Sequence, residues 1–285
     1  MRARTAAAAV AAGLLAVEAA WREPRRLVVR RPVLALERWP VALDGLRVAL
    51  VADLHAGAPH AGLGRVEQVV ARVNAERPDL VALLGDYLDP HVLFARRLSP
   101  EAVARRLGRL RAPLGRLAVL GNHDWRGDGE RLRRALEGAG IAVLEDDAVA
   151  LGPQPGAPWV VGLADLRRRR PQPRAAFARV PAGAPVLALA HDPDLFPLLP
   201  DRAALVLAGH THGGQVSLPV IRGLVIPSWW GDRYAHGHVV EDGRHLYVSA
   251  GVGTSGLPVR LLAPPEVVIL QLLSAAPSAA PRRGG

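Results

Sequence analysis

The stretch LVLAGHTHGGQV, residues 205–216, sets two histidines two residues apart among glycines, directly after an apolar run. A short apolar run that ends at a glycine predicts a buried strand, and the core beneath such a strand holds the following loop in place. Loops of this kind often carry functional residues. Because a single loop histidine is unremarkable, the rest of the chain decides whether His210 and His212 belong to a site.

Four further apolar runs also end in side chains that can bind a metal ion. These side chains are Asp53 and His55 after LRVALVA, Asp86 after DLVALLG, Asn122, His123 and Asp124 after LAVLG, and His191 after PVLALA. One such residue at the end of a strand is commonly structural, but five strands that deliver them form a pattern. Since the carboxyl ends of the strands of an open α/β sheet share one edge, we expect a single metal cluster there. Glycines precede three of these groups, at Gly85, Gly121 and Gly209, as expected where backbones crowd around a small ion.

Helical patterns alternate with the apolar runs. Valines at 66, 69, 70 and 73 recur at helical spacing, and Ser99 followed by Pro100 predicts the start of another helix. Strands that alternate with helices predict an α/β fold. The region after Gly213 has the pattern of a mainly β segment.

Composition limits the chemistry more than it identifies the partner. The chain has 285 residues, a formal net charge of +10 and no cysteine. The length allows one domain with a sizeable core. The charge favours an anionic partner, such as nucleic acid or a membrane surface, but every basic residue is arginine, which we interpret as genomic codon bias. Without cysteine, a metal has to be bound by His, Asp, Glu or Asn.

Residues 1–31 have the pattern of a signal peptide or an N-terminal membrane anchor. Two early arginines precede an apolar stretch from Ala6 to Val17, which is shorter than the roughly 20 apolar residues of a spanning helix. The excess of arginine after this stretch would keep an anchored domain in the cytoplasm, whereas cleavage would export it. We therefore expect a membrane-associated or exported bacterial protein, with the side of the membrane left open. At the other end, residues 273–285 are expected to be disordered.

The ordered motifs resemble those of the calcineurin-like metallophosphoesterase family. They are D-x-H at 53–55, G-D-x-x-D at 85–89, G-N-H-D at 121–124, the single His191, and G-H-x-H at 209–212. Within that family, HDPDLF, GHTHGGQVSLP and SAGVGTSGLPVR resemble the bacterial branch of membrane-associated or exported phosphodiesterases. The resemblance covers residues 41–272. It implies a single-domain, four-layer α/β/β/α sandwich in place of one open sheet.

The resemblance also implies two divalent metal ions and assigns their ligands. The first ion would be bound by Asp53, His55, Asp86 and His212, and the second by Asp86, Asn122, His191 and His210. Such ligands suit Mn, Fe or Zn. Two ions about 3.5–4 Å apart, bridged by Asp86, can bind phosphate oxygens and produce the attacking hydroxide. His123 would protonate the leaving group or stabilise its charge, and Asp124 would orient His123, while Asp89 would support the ligands without binding metal.

Three other groups of residues have open interpretations. Arg167, Arg168, Arg169 and Arg170 either bind a substrate phosphate or form a solvated face. Trp229 and Trp230 either line a lipid or sugar groove, dip into a membrane interface, or pack in the core. The remaining histidines lie outside the motifs and are expected to have no catalytic role; they are His60, His91, His236, His238 and His245.

These observations predict a dinuclear metal-dependent phosphoester hydrolase, more specifically a phosphodiesterase that uses metal-bound hydroxide. The expected substrate is a lipid-linked or small-molecule phosphoester, and the expected surface partner is a membrane. The charge leaves a nuclease as an alternative, although nucleic acid is not the favoured partner. A non-catalytic metal-binding scaffold is the other alternative. The oligomeric state is left open.

Overall fold

Two β-sheets form the centre of the protein in a computed structural model, which describes residues 2–89, 91–218 and 226–275. The first sheet has the strand order β1-β13-β3-β4-β5-β6, with β2 also paired to β13, and the second has the order β11-β12-β10-β9-β8-β7. The strands are β1 Val28–Arg30, β2 Val33–Leu36, β3 Leu46–Val51, β4 Leu80–Leu83, β5 Arg116–Ala118, β6 Ala142–Val143, β7 Asp147–Ala150, β8 Trp159–Gly162, β9 Val186–Leu189, β10 Leu205–Ala208, β11 Gly237–Glu241, β12 Arg244–Val248 and β13 Glu266–Ser274.

The helices are α1 Arg2–Val17, α2 Leu63–Ala75, α3 Pro100–Leu107, α4 Asn122–Arg126, α5 Gly129–Gly138 and α6 Pro173–Ala178. Of these, α2, α3 and α5 cover the outer face of the first sheet, and α6 covers that of the second. The predicted start of α3 is confirmed, because the Ser99 side chain accepts a hydrogen bond from the Ala102 N–H at 3.2 Å and Pro100 is the first helical residue. The four valines of α2 are buried, as their helical spacing predicts.

The core has three apolar layers, and alternate residues of one strand reach two of them. Val48 and Leu50 of β3 pack between the two sheets, whereas Ala49 and Val51 face the helices α2, α3 and α5. A third cluster joins the outer face of the second sheet to α6, which contributes Phe177. The order of layers is therefore helices, sheet, sheet, helix, and the predicted four-layer sandwich is confirmed. The strand period of two residues explains how a single strand serves both layers.

The carboxyl ends of the central strands meet at one edge of the sandwich. Strands β3, β4 and β5 run parallel in the first sheet, and β8, β9 and β10 run parallel in the second. The expectation of one open sheet, drawn from the strand pattern alone, is wrong because the metal-binding side chains come from both sheets. The pattern cannot separate the two cases, since buried parallel strands have the same apolar runs in either.

Both ends of the chain contribute residues to the first sheet. Strand β1 lies within residues 1–31 and pairs with β13, and β2 also precedes residue 41, where the resemblance begins. Strand β13 extends to Ser274, so it includes the first two residues of the predicted tail. Residues 276–285 of that tail lie outside the described residues. In the parts of the chain that the structure describes, no helix combines the length and the apolar character needed to cross a membrane.

Candidate metal centre

The predicted ligands form two adjacent groups at this edge. Nε2 of His55 lies 3.1 Å from Nε2 of His212, and Oδ1 of Asp53 lies 4.0 and 3.7 Å from the same two nitrogens. In the second group, Nε2 of His191 lies 3.1 Å from Nδ1 of His210 and 3.1 Å from Oδ1 of Asn122. Imidazole nitrogens and carboxylate oxygens that converge in this way are the donors that transition-metal ions prefer.

Asp86 lies between the two groups. Its Oδ2 is 3.6 Å from Nε2 of His55 and 3.3 Å from Nε2 of His191. Its other oxygen, Oδ1, accepts a hydrogen bond from the backbone N–H of His123 at 2.9 Å. The carboxylate is thus held by the backbone on one side and faces both groups of donors on the other.

Hydrogen bonds to the far side of three imidazole rings leave the inward nitrogen free as a ligand. Nδ1 of His55 contacts Oδ2 of Asp89 at 3.2 Å, and Nδ1 of His191 contacts the Leu84 carbonyl oxygen at 2.7 Å. Nε2 of His210 contacts the Pro227 carbonyl oxygen at 3.2 Å. If the outer nitrogens donate these bonds, the neutral rings present lone pairs inward. The donor set therefore fits divalent cations.

The backbone at the site is held in an uncommon conformation. Five ligand residues have positive φ angles between 41° and 69°: Asp53, His55, Asp86, His210 and His212. Non-glycine residues rarely adopt this left-handed region, and residues that do so cluster at functional sites. The surrounding structure must therefore stabilise these loops, which also turn the side chains toward one point.

Two of the predicted glycines leave space for the ligands. A Cβ atom at Gly85 would lie 2.8 Å from Nδ1 of His191, and one at Gly209 would lie 2.5 Å from Oδ2 of Asp53. Both distances are too short for any side chain. The glycines that precede the ligand residues are therefore explained by close packing, as the sequence predicts.

Burial and neighbouring charges set the protonation of the ligands. Burial holds the pKa of His210 and His212 well below the usual range, so both rings are neutral at pH 7. Burial opposes ionisation of Asp86, but the charges of His191 and His55 outweigh it and hold its pKa well below normal. Burial raises the pKa of Asp53 to about 6. His210 and His212 are therefore neutral and the central carboxylate is ionised, as cation binding requires. Burial lowers the pKa of His191, but the charge of Asp86 outweighs it and holds that pKa well above its usual range.

The structure changes the prediction for Asp124. Its carboxylate accepts hydrogen bonds from the backbone N–H groups of Asp86 and Tyr87, each at 2.8 Å, and of Gly121 at 2.9 Å. Asp124 therefore joins the loop after β4 to the loop after β5, and it does not orient His123. The sequence suggests the wrong partner because the two residues are adjacent in the chain.

Asp89, and not Asp124, contacts His123 and has the orienting role that the sequence analysis assigns to Asp124. Its Oδ2 lies 2.7 Å from Nδ1 of His123 and 3.2 Å from Nδ1 of His55. Burial lowers the pKa of His123, but contact with Asp89 and the charge of Asp86 raise it overall. The His123 ring is therefore biased toward its protonated form beside the predicted ligands.

A cleft with a volume of 580 Å³ opens over the two groups of donors. Its wall includes Asp86, Asn122, His123, His210 and His212. The mouth includes Gln215 and Leu257. The cleft therefore gives a small molecule or the head of a larger one access to the predicted metal positions.

Two of the arginines with an open interpretation have partners. Nε of Arg167 lies 2.7 Å from Oδ2 of Asp192, and its Nη2 lies 3.2 Å from Oδ2 of Asp194, so its charge is largely offset at the cleft wall. Arg169 pairs with Glu145 at 2.6 Å and stacks over Trp125. Phosphate binding by these residues stays a prediction.

The two tryptophans are on the surface. Trp229 and Trp230 are exposed, so the interpretation as core residues is wrong for this pair. The backbone N–H of Trp229 donates to Asp194 at 2.8 Å, which fixes the segment that begins at Pro227 beside the cleft. Within the described ranges, the groups of possible metal donors contain none of the five histidines outside the motifs.

Two supporting residues escape the sequence interpretation. Arg260 is fully buried and donates to the carbonyl oxygens of Gly253, Ala263 and Ala250, and its Nη2 lies 3.3 Å from Nδ1 of His212. Pro227 contacts His210 only through its backbone carbonyl oxygen. Nothing in the sequence distinguishes Arg260 from the many other arginines of this chain. A contact made by a backbone carbonyl cannot be predicted from residue type in any sequence.

Comparisons with known proteins agree with this geometry. A model of the family described as calcineurin-like phosphoesterase matches residues 46–214, a range that contains all seven predicted ligands. The chain is 30% identical over 272 residues to the uncharacterized metallophosphoesterase YkuE of Bacillus subtilis, covering 94% of this chain and 93% of that protein. It is 33% identical over 231 residues to phosphodiesterase YaeI of Escherichia coli, covering 80% and 82%. It is 27% identical over 309 residues to UDP-2,3-diacylglucosamine pyrophosphatase LpxG of Chlamydia trachomatis, covering 88% and 91%.

Proposed function

This chain belongs to the calcineurin-like phosphoesterase family and is a metallophosphoesterase, and we propose that it is a dinuclear phosphodiesterase for a lipid-linked or small-molecule substrate. The observation that carries the proposal is the position of Asp86, whose Oδ2 faces donors of both groups at 3.6 and 3.3 Å. A single metal ion would need only one of the groups. Two complete groups that share one carboxylate support a pair of ions.

Each group would hold one ion. Asp53, His55 and His212 would bind the first ion together with Asp86, and Asn122, His191 and His210 would bind the second with Asp86. Two divalent cations at such a site supply charge that offsets the phosphate and lower the pKa of a bound water, as Mn, Fe or Zn can. Asn122 is the first residue of α4, and Asp86 accepts a hydrogen bond from His123 in the same helix. These two ligands are therefore fixed to a helix as well as to strand ends.

His123 has the position of a general acid. It is partly exposed to the cleft, it lies outside the two donor groups, and its Nδ1 contacts Asp89, with which it and His55 form a third set of possible metal donors. With Nδ1 held there, Nε2 remains to donate a proton to the oxygen of a leaving group. The raised pKa of His123 favours the protonated ring that this step requires.

The relatives support a diester more than a monoester. YaeI is named a phosphodiesterase, and LpxG is named for a pyrophosphate substrate that carries acyl chains. Exposed apolar side chains beside the cleft, among them Leu257 and Trp229, suit an amphiphilic substrate. A lipid-linked substrate would bring its phosphate to the cleft while its chains stay in a membrane.

The N-terminal helix supports a membrane surface as a partner. The side chains of Val10, Leu14, Leu15, Val17 and Trp21 are exposed. The body of the protein contacts the segment that follows, because the backbone N–H of Arg260 donates to the Ala19 carbonyl oxygen at 2.9 Å. An apolar helix that packs against nothing in the described chain is costly in water, and burial in a membrane interface would remove that cost.

Deletion of residues 2–17 should therefore release the protein from membranes and leave diesterase activity unchanged. The deletion keeps Ala19, Glu23 and β1, which contact the folded domain. Fractionation of cells that express either form measures the change. A truncated protein that sediments with membranes as fully as the intact chain would exclude the helix as an anchor, and mass spectrometry of the native N-terminus separates cleavage from anchoring.

Turnover by purified protein loaded with Mn, Zn or Fe tests the proposed function. A panel of alkyl and aryl diesters, monoesters, lipid-linked phosphoesters and single- and double-stranded DNA separates the candidate activities. We expect diesters to be hydrolysed faster than monoesters and DNA. Faster cleavage of DNA, with steep dependence on salt, would favour a nuclease, and no turnover of any ester would favour a non-catalytic scaffold.

A further inference from the structure

A second cavity, with a volume of 320 Å³, adjoins the metal cleft. The two share His91, His123 and Arg126 in their walls, so His123 stands at the boundary between them. The second cavity contains none of the predicted metal ligands. It is therefore distinct from the cleft that contains the predicted ligands, and His123 lines both.

The lining of the second cavity carries excess positive charge. Arg96, Arg97 and Arg126 have no carboxylate within 4.0 Å in the part of the chain that the structure describes. The fourth arginine in the wall, Arg131, is neutralised by Glu101 at 2.7 Å. Asp124 and Asp128 also line the cavity; the oxygens of Asp124 accept hydrogen bonds from backbone N–H groups, and Oδ1 of Asp128 accepts one from the backbone N–H of Arg131 at 2.9 Å. The three arginines without an ion pair outnumber these two carboxylates, so the lining favours an anion.

The floor of the same cavity is apolar. Leu88, Leu98, Pro100 and Leu132 line it, and Leu132 is fully buried. A ligand that fits both the floor and the rim has a short hydrocarbon part and an anionic end. Inorganic ions match only the rim, and a purely apolar group matches only the floor.

If His123 is the general acid, as the proposed function requires, it determines which part of a substrate reaches this cavity. A general acid must lie within hydrogen-bond reach of the leaving oxygen. The leaving group therefore extends from the metal cleft past His123. We propose that the second cavity binds the leaving group of the diester, and that Arg96 and Arg97 bind an anionic group, phosphate or phosphonate, at its far end.

Two matched substrates test this proposal. Both are methyl alkyl phosphodiesters whose alkyl leaving groups have the same chain length. The chain ends in a phosphonate in one substrate and in a methyl group in the other. We expect the intact enzyme to prefer the phosphonate through a lower KM, by about tenfold to a hundredfold, as one or two charge-assisted contacts allow. The double variant Arg96→Ala/Arg97→Ala should lose most of that preference and keep its kcat for the diester whose leaving group ends in a methyl group.

The control is Arg105→Ala/Arg109→Ala, which also removes two positive charges, from exposed positions outside both cavities. This variant should keep the preference. Equal loss in the control would assign the preference to overall charge, and an unchanged preference in Arg96→Ala/Arg97→Ala would place the anion elsewhere; either result overturns the proposal. An intact enzyme that hydrolyses both diesters without preference also overturns it and leaves the proposed function standing. Failure to hydrolyse any diester, bis(p-nitrophenyl) phosphate included, would overturn the proposed function itself.

Discussion

Replacement Asp86→Asn should reduce diester hydrolysis by about 10³-fold or more, because the site loses several kcal/mol of charge stabilisation when it loses its shared ligand. The amide keeps the size of the side chain, and its oxygen can still accept the hydrogen bond from the His123 N–H. The atom that replaces Oδ2 would be an NH₂ group, which cannot bind a cation. We therefore expect a folded protein that binds fewer metal ions.

Elemental analysis of the purified variant, with kcat/KM for one diester, measures both effects. Asp201→Asn is the matched control, because Asp201 is exposed and pairs with Arg244 far from the cleft. The control should keep its metal content and activity. An Asp86→Asn protein with two ions at full occupancy and normal turnover would remove Asp86 from its bridging position.

Replacement His123→Ala should slow hydrolysis of an alkyl diester by about 10² to 10⁴-fold and keep both metal ions. An alkoxide is a strong base and needs a proton as it leaves, whereas p-nitrophenolate leaves without one. A p-nitrophenyl diester should therefore lose clearly less activity than an alkyl diester. Asp89 would still contact His55 and the backbone N–H of His91, so the ligand geometry should survive.

The ratio of the two losses, measured on the same preparation, separates proton donation from binding. His238→Ala serves as the control, because His238 is exposed and contacts His245 outside the site. Equal losses on the two esters would show that His123 binds phosphate and does not act as an acid. Loss of a metal ion in His123→Ala would show that the ring is itself needed for the metal site.

Much of the site can be predicted because each ligand follows a buried strand. Asp53, Asp86, Asn122, His191 and His210 come two to four residues after the end of β3, β4, β5, β9 and β10, so the strand pattern alone indicates where they converge. The division of these strands between two sheets cannot be read in the same way, because an apolar run does not record which strand it pairs with.

Contacts between residues that are distant in sequence account for the remaining errors. Asp124 is adjacent to His123 in the chain, yet its carboxylate turns to the N–H groups of the loop after β4, and Asp89 from that loop contacts His123 in its place. Arg260 and the Pro227 carbonyl likewise position His212 and His210 from distant loops. Such partners depend on how loops pack, and no local spacing determines them.

Titration of the metal-free protein with Mn²⁺, with bound metal and diester turnover followed together, tests the dinuclear site most directly. We expect turnover to stay low after one equivalent and to reach its plateau at two bound ions per chain, because both groups of donors and the shared Asp86 are complete. Full activity with one bound ion, or two bound ions without turnover of any diester, would contradict the account.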